Sequence, residues 1–452
     1  MKSKFIFVAS LLLCAQSHAE PGIRWLCSTE KSRWQEMTTT NAEASADSMK
    51  LDPKTTYQTM HGFGGCFNEL GWEALGALPA DRREAALKEL FAPDGANFTL
   101  CRAPVGANDF SLGWYSLDET PGDYEMKNFS IERNREALIP FIKAAMKYQP
   151  TLGVWASPWC PPSWMTTNGR YRNGRMKGDP QTLGAYALYL SKFVQAWHAE
   201  GIKLYAIYPQ NEMALNDGIY PQCAWDSADM NVFLRDHLLP RLKKDNVKVD
   251  VWLGTITNDK LSDYIDTVLG DPKTAAGITG VGLQYGGQKT MLATHEKYPN
   301  VKLAQTETEC YGGWNPWDQG LSTFGRIIEN TSHFAGSYFY WNIVLDESGL
   351  SSWNWKQNSL LTVDHKSETV KYNPEFYAMK HVSATVLPGA RRIAVGGGPF
   401  KNVVAFQNTD GSKVLLIEND TDQVVSASLD TGATPVRLDV PAQSMNTVIL
   451  HQ

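Results

Sequence analysis

The 452-residue chain is 43% hydrophobic and 20% charged, the composition of a folded protein rather than a disordered one. Its net charge of −6 is spread without like-charge blocks, which excludes a phosphate-backbone partner and with it nucleic-acid binding. The length exceeds one core of ordinary size and calls for a large barrel, or a barrel with a small satellite domain.

Residues 1–19 read as a signal peptide: Lys2 and Lys4 begin it, 5–14 are apolar, and Ser17-His18-Ala19 is a small-x-small cleavage site. The apolar run is too short to span a bilayer, and no later run reaches about 18 apolar residues. The expected product is a secreted or periplasmic protein with no integral membrane segment after signal removal. Cys14 follows Leu13, where a lipid-attachment site would have a small residue. Six cysteines remain after cleavage: Cys27, Cys66, Cys101, Cys160, Cys223 and Cys310. They are scattered and several sit in apolar strands, so one or two disulfides and free buried thiols are both open. No Cys-x-x-Cys pair or close histidine cluster occurs, so neither a metal nor another cofactor is expected.

Along the chain, short apolar runs alternate with helix-like stretches about eight times. The predicted strands are 62–65, 98–103, 152–156, 204–209, 249–254, 280–284, 301–306 and 337–341. Continuous rather than alternating apolarity marks parallel strands covered on both faces. Between them, Ser130 can cap a helix with Leu138, Ile142 and Ala145 on one face, and 183–197 and 230–242 have amphipathic spacing. Eight βα units predict a (β/α)8 TIM barrel over residues 59–384. A doubly wound sheet is the rival, but no Gly-rich phosphate loop follows the first strand.

From residue 385 onward the pattern turns to short alternating strands, 403–406, 413–418, 424–429 and 447–450, with Thr409-Asp410-Gly411-Ser412 as a hairpin turn. An accessory antiparallel β-sandwich over 385–452 is expected, joined by N-terminal strands from 22–58. Of 15 tryptophans, 13 lie between residues 72 and 355 and none beyond, which assigns function to the barrel.

Active sites of such barrels form at the C-terminal strand ends. Strand four ends in Tyr208-Pro209-Gln210-Asn211-Glu212, and strand seven in Gln305-Thr306-Glu307-Thr308-Glu309. Two carboxyl groups facing each other across a sugar are what glycosidic cleavage requires: one protonates the leaving oxygen, the other meets the oxocarbenium-like carbon. Either glutamate alone could be a solvated strand-end charge. Asn211 is placed to bind a sugar hydroxyl beside the reacting carbon. Glu309 shares the strand parity of Glu307, so both can point inward.

At this point the chain resembles glycoside hydrolase family 30, in particular the branch containing lysosomal glucosylceramidase, from about residue 50 to the C-terminus. The matching stretches are Gly62-Phe63-Gly64-Gly65, Arg102-Ala103-Pro104 leading to Asn108-Asp109-Phe110-Ser111, and Asp118-Glu119-Thr120-Pro121. Ser157-Pro158-Trp159 through Trp164-Met165-Thr166-Thr167-Asn168-Gly169, Asn211-Glu212, and the gapless run from Tyr298-Pro299-Asn300 to Thr306-Glu307 complete the match. The resemblance implies that Glu212 is the acid/base, and its gapless run favours Glu307 over Glu309 as nucleophile. It further implies that Asp109, Trp159, Asn211 and Trp341 hold the sugar, that Asn358 is a polar pocket residue, and that Arg102 is a buried cation beside Glu307. Glu309 becomes a supporting residue.

Three departures bear on the leaving group. Met213 stands where a proline is usual, Gln284-Tyr285-Gly286 replaces a stretch with a histidine and large aromatics, and the loop 217–225 is one residue shorter while keeping Tyr220-Pro221 and Gln222-Cys223. Among the tryptophans, Trp25, Trp34, Trp197 and Trp252 are expected to pack. Trp114, Trp159, Trp164, Trp314, Trp317, Trp353 and Trp355 fall in βα-loop regions, about half of them against substrate.

The expected activity is retaining hydrolysis of a β-D-glucosidic bond, with a β-glucoside, glucan or glucosyl lipid as the partner. Endo-β-1,6-glucanase and β-xylosidase action are the alternatives within the family. A catalytically silent carbohydrate-binding protein is the alternative from another class, which retention of both carboxylates disfavours.

Overall fold

The computed structural model describes residues 22–43, 45–215, 217–258, 262–308 and 310–451. The predicted signal segment, Cys14 and Glu309 lie outside the described residues.

Eight parallel strands close into a barrel: β1 Gly62–Cys66, β2 Leu100–Val105, β3 Gly153–Pro158, β4 Leu204–Ile207, β5 Asp250–Ile256, β6 Gly280–Leu283, β7 Lys302–Gln305 and β8 Ala335–Asn342. Each pairs with its sequence neighbours, and β8 closes on β1 through Ser337↔Gly62 and Phe339↔Gly64. All eight correspond to the apolar runs read from the sequence. The barrel interior is filled by Leu100, Trp155, Ala206, Tyr208, Trp252, Ala304 and Phe339. Two glycines of β6 make room for this aromatic packing: a Cβ on Gly280 would lie 2.5 Å from the Trp252 ring, and one on Gly282 would lie 2.5 Å from Tyr208. The polar groups at the C-terminal mouth therefore stand on a solid floor, not over a pore.

The predicted helix at 183–197 is Pro180–Ala199, opened by Asp179 accepting from Thr182 N–H at 2.9 Å. The 230–242 pattern becomes Ser227–Val232, a π-helical turn Phe233–Leu238 and Leu239–Lys244. Ser130 accepts from Glu132 N–H at 3.2 Å, and the helix it opens is interrupted at Ala137 before Leu138–Met146.

Beside the barrel lies a ten-stranded, almost wholly antiparallel sheet. Its order is Gln35–Met37, Ile23–Ser28, Ser444–Leu450, Lys413–Asn419, Val403–Gln407, Arg391–Gly396, Met49–Thr59, Val425–Asp430, Val436–Val440 and Thr40–Asn41. Trp25, Leu415 and Val448 from one end share a core with Leu429, Val436 and Leu438 from the other, so the sheet curls over itself into two layers. The bend falls in Met49–Thr59, where pairing jumps from Ile393↔Thr56 to Ala394↔Asp52. Pro53 lacks an N–H for the ladder there, and Asp52 accepts from Lys54 N–H instead at 3.0 Å.

His381, in the helix Pro374–Ser383, pins the barrel to this sheet: Nδ1 lies 2.9 Å from Thr447 Oγ1 and Nε2 lies 2.9 Å from Ser28 Oγ. Trp317 Nε1 donates to Gln443 O at 2.9 Å across the same interface. The six cysteines of the described chain are all buried and form no disulfide with one another. No described helix is long and apolar enough to cross a membrane.

Candidate active site

Glu212 and Glu307 meet at the C-terminal mouth, 6% and 4% exposed. Glu212 sits five residues beyond the end of β4 in the left-handed backbone region (φ 48), a strained conformation for a residue with a Cβ. The turn is held by Glu212 N–H donating to Thr255 Oγ1 at 3.1 Å and by Leu215 N–H donating to Glu212 O at 2.8 Å. Glu307 lies two residues past β7 and points at Arg102 of β2, whose Nη1 donates to Oε2 at 2.5 Å.

Arg102 is fully buried, and three more of its N–H groups are bonded within the site. Nε and Nη2 donate to Ser157 Oγ at 3.3 and 2.9 Å, and Nη2 also donates to Asn211 Oδ1 at 2.7 Å. Its guanidinium lies 4.2 Å from the Trp159 ring centroid and 4.8 Å from that of Trp155, so cation–π contact holds the charge from both flanks. Asn211 Oδ1 also accepts from Thr255 Oγ1 at 2.9 Å, which leaves its Nδ2 as a donor for a ligand.

Gln284 joins the two carboxyl groups. Thr306 Oγ1 donates to its Oε1 at 2.9 Å, which turns Nε2 toward the mouth. That one nitrogen lies 3.3 Å from Glu212 Oε1 and 3.4 Å from Glu307 Oε2. The same nitrogen lies 3.5 Å from Asn211 Oδ1, so both carboxyl groups and the asparagine converge on one amide. Tyr285 donates its hydroxyl to the other oxygen of Glu307, and Tyr220 donates to Glu212 Oε2 at 2.8 Å.

The two carboxyl groups thus differ in environment. Glu307 has a guanidinium partner. Glu212 has none, and burial followed by the Glu307 charge pushes it up to about 7, against the weaker opposing pull of the Tyr220 hydroxyl. One carboxyl holding a proton near neutrality beside one paired with a cation can supply both a proton and a nucleophile.

The remaining predicted residues form one wall. Trp159 and Trp341 are buried and stacked at 5.3 Å, and Asp109 is buried with Oδ1 lacking a partner among the described residues. Burial and the two glutamates push Asp109 well above the usual carboxylate range. Its loop is set by Asn108, which accepts from Phe110 N–H at 2.9 Å, and by buried Glu69, which accepts from Leu112 N–H at 2.8 Å and holds Arg133. The Trp341 Nε1 also lacks a protein acceptor among the described residues.

Asn358, expected from the resemblance as a polar pocket residue, lies under the loop that follows Glu307. It is fully buried, its Nδ2 donates to Glu375 at 2.9 Å, and its Oδ1 accepts from Gly313 N–H at 2.6 Å. One N–H and the oxygen of its amide are thus used inside the protein, so in this structure it holds a loop. Tyr220, Thr255, Ser157 and Thr306 are the contacts that sequence reasoning did not select. Thr306 directly follows an apolar strand, and Ser157 and Thr255 lie in the last residues of theirs, where the rule that found Glu212 and Glu307 applies. Tyr220 carries only its retained Tyr220-Pro221 pair as a signal. Of the loop tryptophans, Trp317 packs against the sandwich, Trp164 donates to Asp118 O at 3.0 Å, and Trp355 covers Tyr220 at 5.1 Å. Among the described residues no three His, Cys, Asp or Glu side chains are gathered as a metal site.

Residues 60–386 match the glycosyl hydrolase family 30 TIM-barrel domain, and residues 389–448 match the family 30 beta sandwich domain. The chain therefore belongs to glycosyl hydrolase family 30, and it is a glycoside hydrolase. It is 30% identical over 396 residues to putative glucosylceramidase 1 of Caenorhabditis elegans, covering 82% of this chain and 76% of that one. It is 27% identical over 389 residues to an endo-1,6-beta-D-glucanase of Neurospora crassa, covering 81% and 80%. In fold it is similar to the endo-beta1,6-glucanase BT3312, with a TM-score of 0.88 at 24% identity over 95% of this chain and 99% of that one.

Proposed function

We propose that the protein hydrolyses β-D-glucosidic bonds with net retention, with Glu212 as acid/base and Glu307 as nucleophile. The observation that carries this reading is the Gln284 amide touching both carboxyl groups. One amide nitrogen 3.3 and 3.4 Å from the two groups brings them close together, which favours the short spacing of retaining enzymes, about 5–5.5 Å, over the roughly 6.5–9.5 Å that leaves room for a water in inverting ones.

In the first step the Glu212 carboxyl gives its proton to the glycosidic oxygen as Glu307 Oε attacks the anomeric carbon. The C–O bond to the leaving group breaks, the alcohol departs, and a glycosyl ester of Glu307 forms. Glu212, now a carboxylate, takes a proton from water; the hydroxide oxygen bonds to the anomeric carbon and Glu307 is released. Asn211 Nδ2 is the donor for the 2-hydroxyl. Asp109 is the acceptor for hydroxyls farther around the ring, since its Oδ1 is buried and without a partner among the described residues.

Incubation with 2-deoxy-2-fluoro-β-D-glucosyl fluoride tests the assignment: peptide mass spectrometry should find the sugar on Glu307. Label on Glu309, or an α-configured first product by NMR, refutes it.

Glucosylceramidase-like action is the first substrate reading, supported by the Caenorhabditis relative at 30% identity. The Neurospora relative supports a second, internal cleavage of β-1,6-glucan, at 27% identity. Assay on glucosylceramide, β-1,6-glucan and aryl β-glucosides separates them; activity on glucan alone overturns the first. Export to a periplasm or beyond the cell belongs to this reading and is tested by locating the protein in cell fractions.

A further inference from the structure

Glu375, at the second position of the helix Pro374–Ser383, is 1% exposed and touches none of the residues proposed for chemistry. Its Oε1 accepts from Asn358 Nδ2 at 2.9 Å and from Asn315 Nδ2 at 3.0 Å, while Oε2 has no partner among the described residues. Both asparagines act on the segment that follows Glu307. Asn358 grips it at two points, through Gly313 N–H and through its own N–H on Cys310 O at 2.7 Å. Asn315 lies within it and also donates to Ser359 O at 3.0 Å.

That segment needs an anchor. Gly312 and Gly313 both occupy the left-handed region (φ 101 and 74), so the unrestrained loop has much conformational freedom to lose. Its aromatic side chains are open to solvent, Tyr311 at 50% and Trp314 at 68%. The Tyr311 ring stacks on Tyr285 at 6.4 Å, and Tyr285 donates to Glu307. The sugar wall of Asp109, Trp159 and Trp341 comes from the β2, β3 and β8 ends of the barrel. The exposed rings at the β6 and β7 ends are left for whatever is attached to the sugar.

We infer that Glu375 is a positioning residue that clamps the 310–315 loop through Asn358 and Asn315, and thereby sets the aromatic edge that meets the leaving group. The inference rests on the β-glucosidase reading above. One buried carboxyl oxygen accepting from both amides ties the two asparagines to a single point on the helix, and it can do so with or without a proton on Oε2.

The test compares two substrates with one sugar: β-D-glucosyl fluoride, whose leaving group is too small to reach the loop, and 4-nitrophenyl β-D-glucopyranoside. In E375L, kcat/KM for the aryl glucoside should fall about tenfold, mainly through KM, while the fluoride changes less than about twofold. E375D, which withdraws the carboxyl by one methylene, should show the same split and decides the matter where E375L does not fold. Burial pushes the Glu375 carboxyl up to about 7, so the neutral E375Q is a close copy and should restore both rates. Y311A should reproduce the split. Equal loss on both substrates, no loss on either, or a Y311A protein without the split overturns the inference. Wild-type protein inactive on both probes overturns the β-glucosidase reading itself and the inference with it.

Discussion

Arg102 donates to Glu307 at 2.5 Å across a gap of 205 residues in sequence, and it does so while fully buried. The same guanidinium serves Ser157 and Asn211, so three strand ends share one cation. Lysine is a point charge and cannot make these bonds at once. R102K should retain the fold but lose at least about a hundredfold in kcat/KM on an aryl β-glucoside, and R102M should lose more and destabilise the protein by about 3–5 kcal/mol, the effect of stranding a buried partner. Urea unfolding and steady-state kinetics check both.

The proton on Glu212 makes activity and stability depend on pH in stated directions. Its pKa in the folded protein, about 7, exceeds its ordinary value of 4.5. The native state therefore binds the proton more tightly, so the stabilisation is complete below 4.5 and is lost as pH rises through 7. An acid that must be protonated also loses activity over the same window. E212Q removes this titration, so between about pH 5 and pH 8 its Tm should decline less than that of the wild type. Equal declines by calorimetry would reject the assignment.

Tyr220 donates to Glu212 at 2.8 Å and so favours the ionised carboxylate, opposing the effect of burial. Y220F removes that donor. The alkaline limb of the kcat/KM profile should move to higher pH, and a limb that stays or moves down contradicts this account of the site.

His381 is a second titrating group, and it acts with the opposite sign. Burial pushes its pKa down from 6.5 to about 3 while Ser28 and Thr447 bracket the ring. The native state binds fewer protons, so its contribution is present above 6.5 and lost as pH falls toward 3. H381A should cost about 2–4 kcal/mol at neutral pH, from the cavity and the loss of two buried hydrogen bonds. It should also flatten the fall in Tm on acidification, which thermal melts across that range would show.

Much of this architecture is legible in local pattern. Continuous apolar runs marked all eight barrel strands because a strand covered on both faces has no polar side to alternate. The strand-end rule picked out Glu212, and Glu307 together with Glu309, for the same reason: past the last covered residue, a polar side chain faces the mouth; the family resemblance then favoured Glu307. The rule is silent on roles made by distant partners. The resemblance implied that Asn358 is a pocket residue, and only the structure shows its amide bonded to Glu375 and Gly313. Tyr220 lies in a loop without periodicity, so nothing local aims its hydroxyl at Glu212. The curl of the sandwich turns on a bulge beside Pro53, which periodicity alone does not register.

By itself, the sequence determined the repeated strand–helix order, the change to alternating strands after residue 385, and the identity of the two glutamates at strand ends. These are properties of neighbours along the chain, where side-chain period and backbone direction act. Only the tertiary structure decided that Gln284 lies between the two carboxyl groups, that Arg102 sits with one and not the other, and that Glu212 is the one pushed up to about 7. Those outcomes depend on burial and on distances of a few ångströms between residues far apart in sequence, and charge interactions in a low-dielectric interior change steeply over such distances.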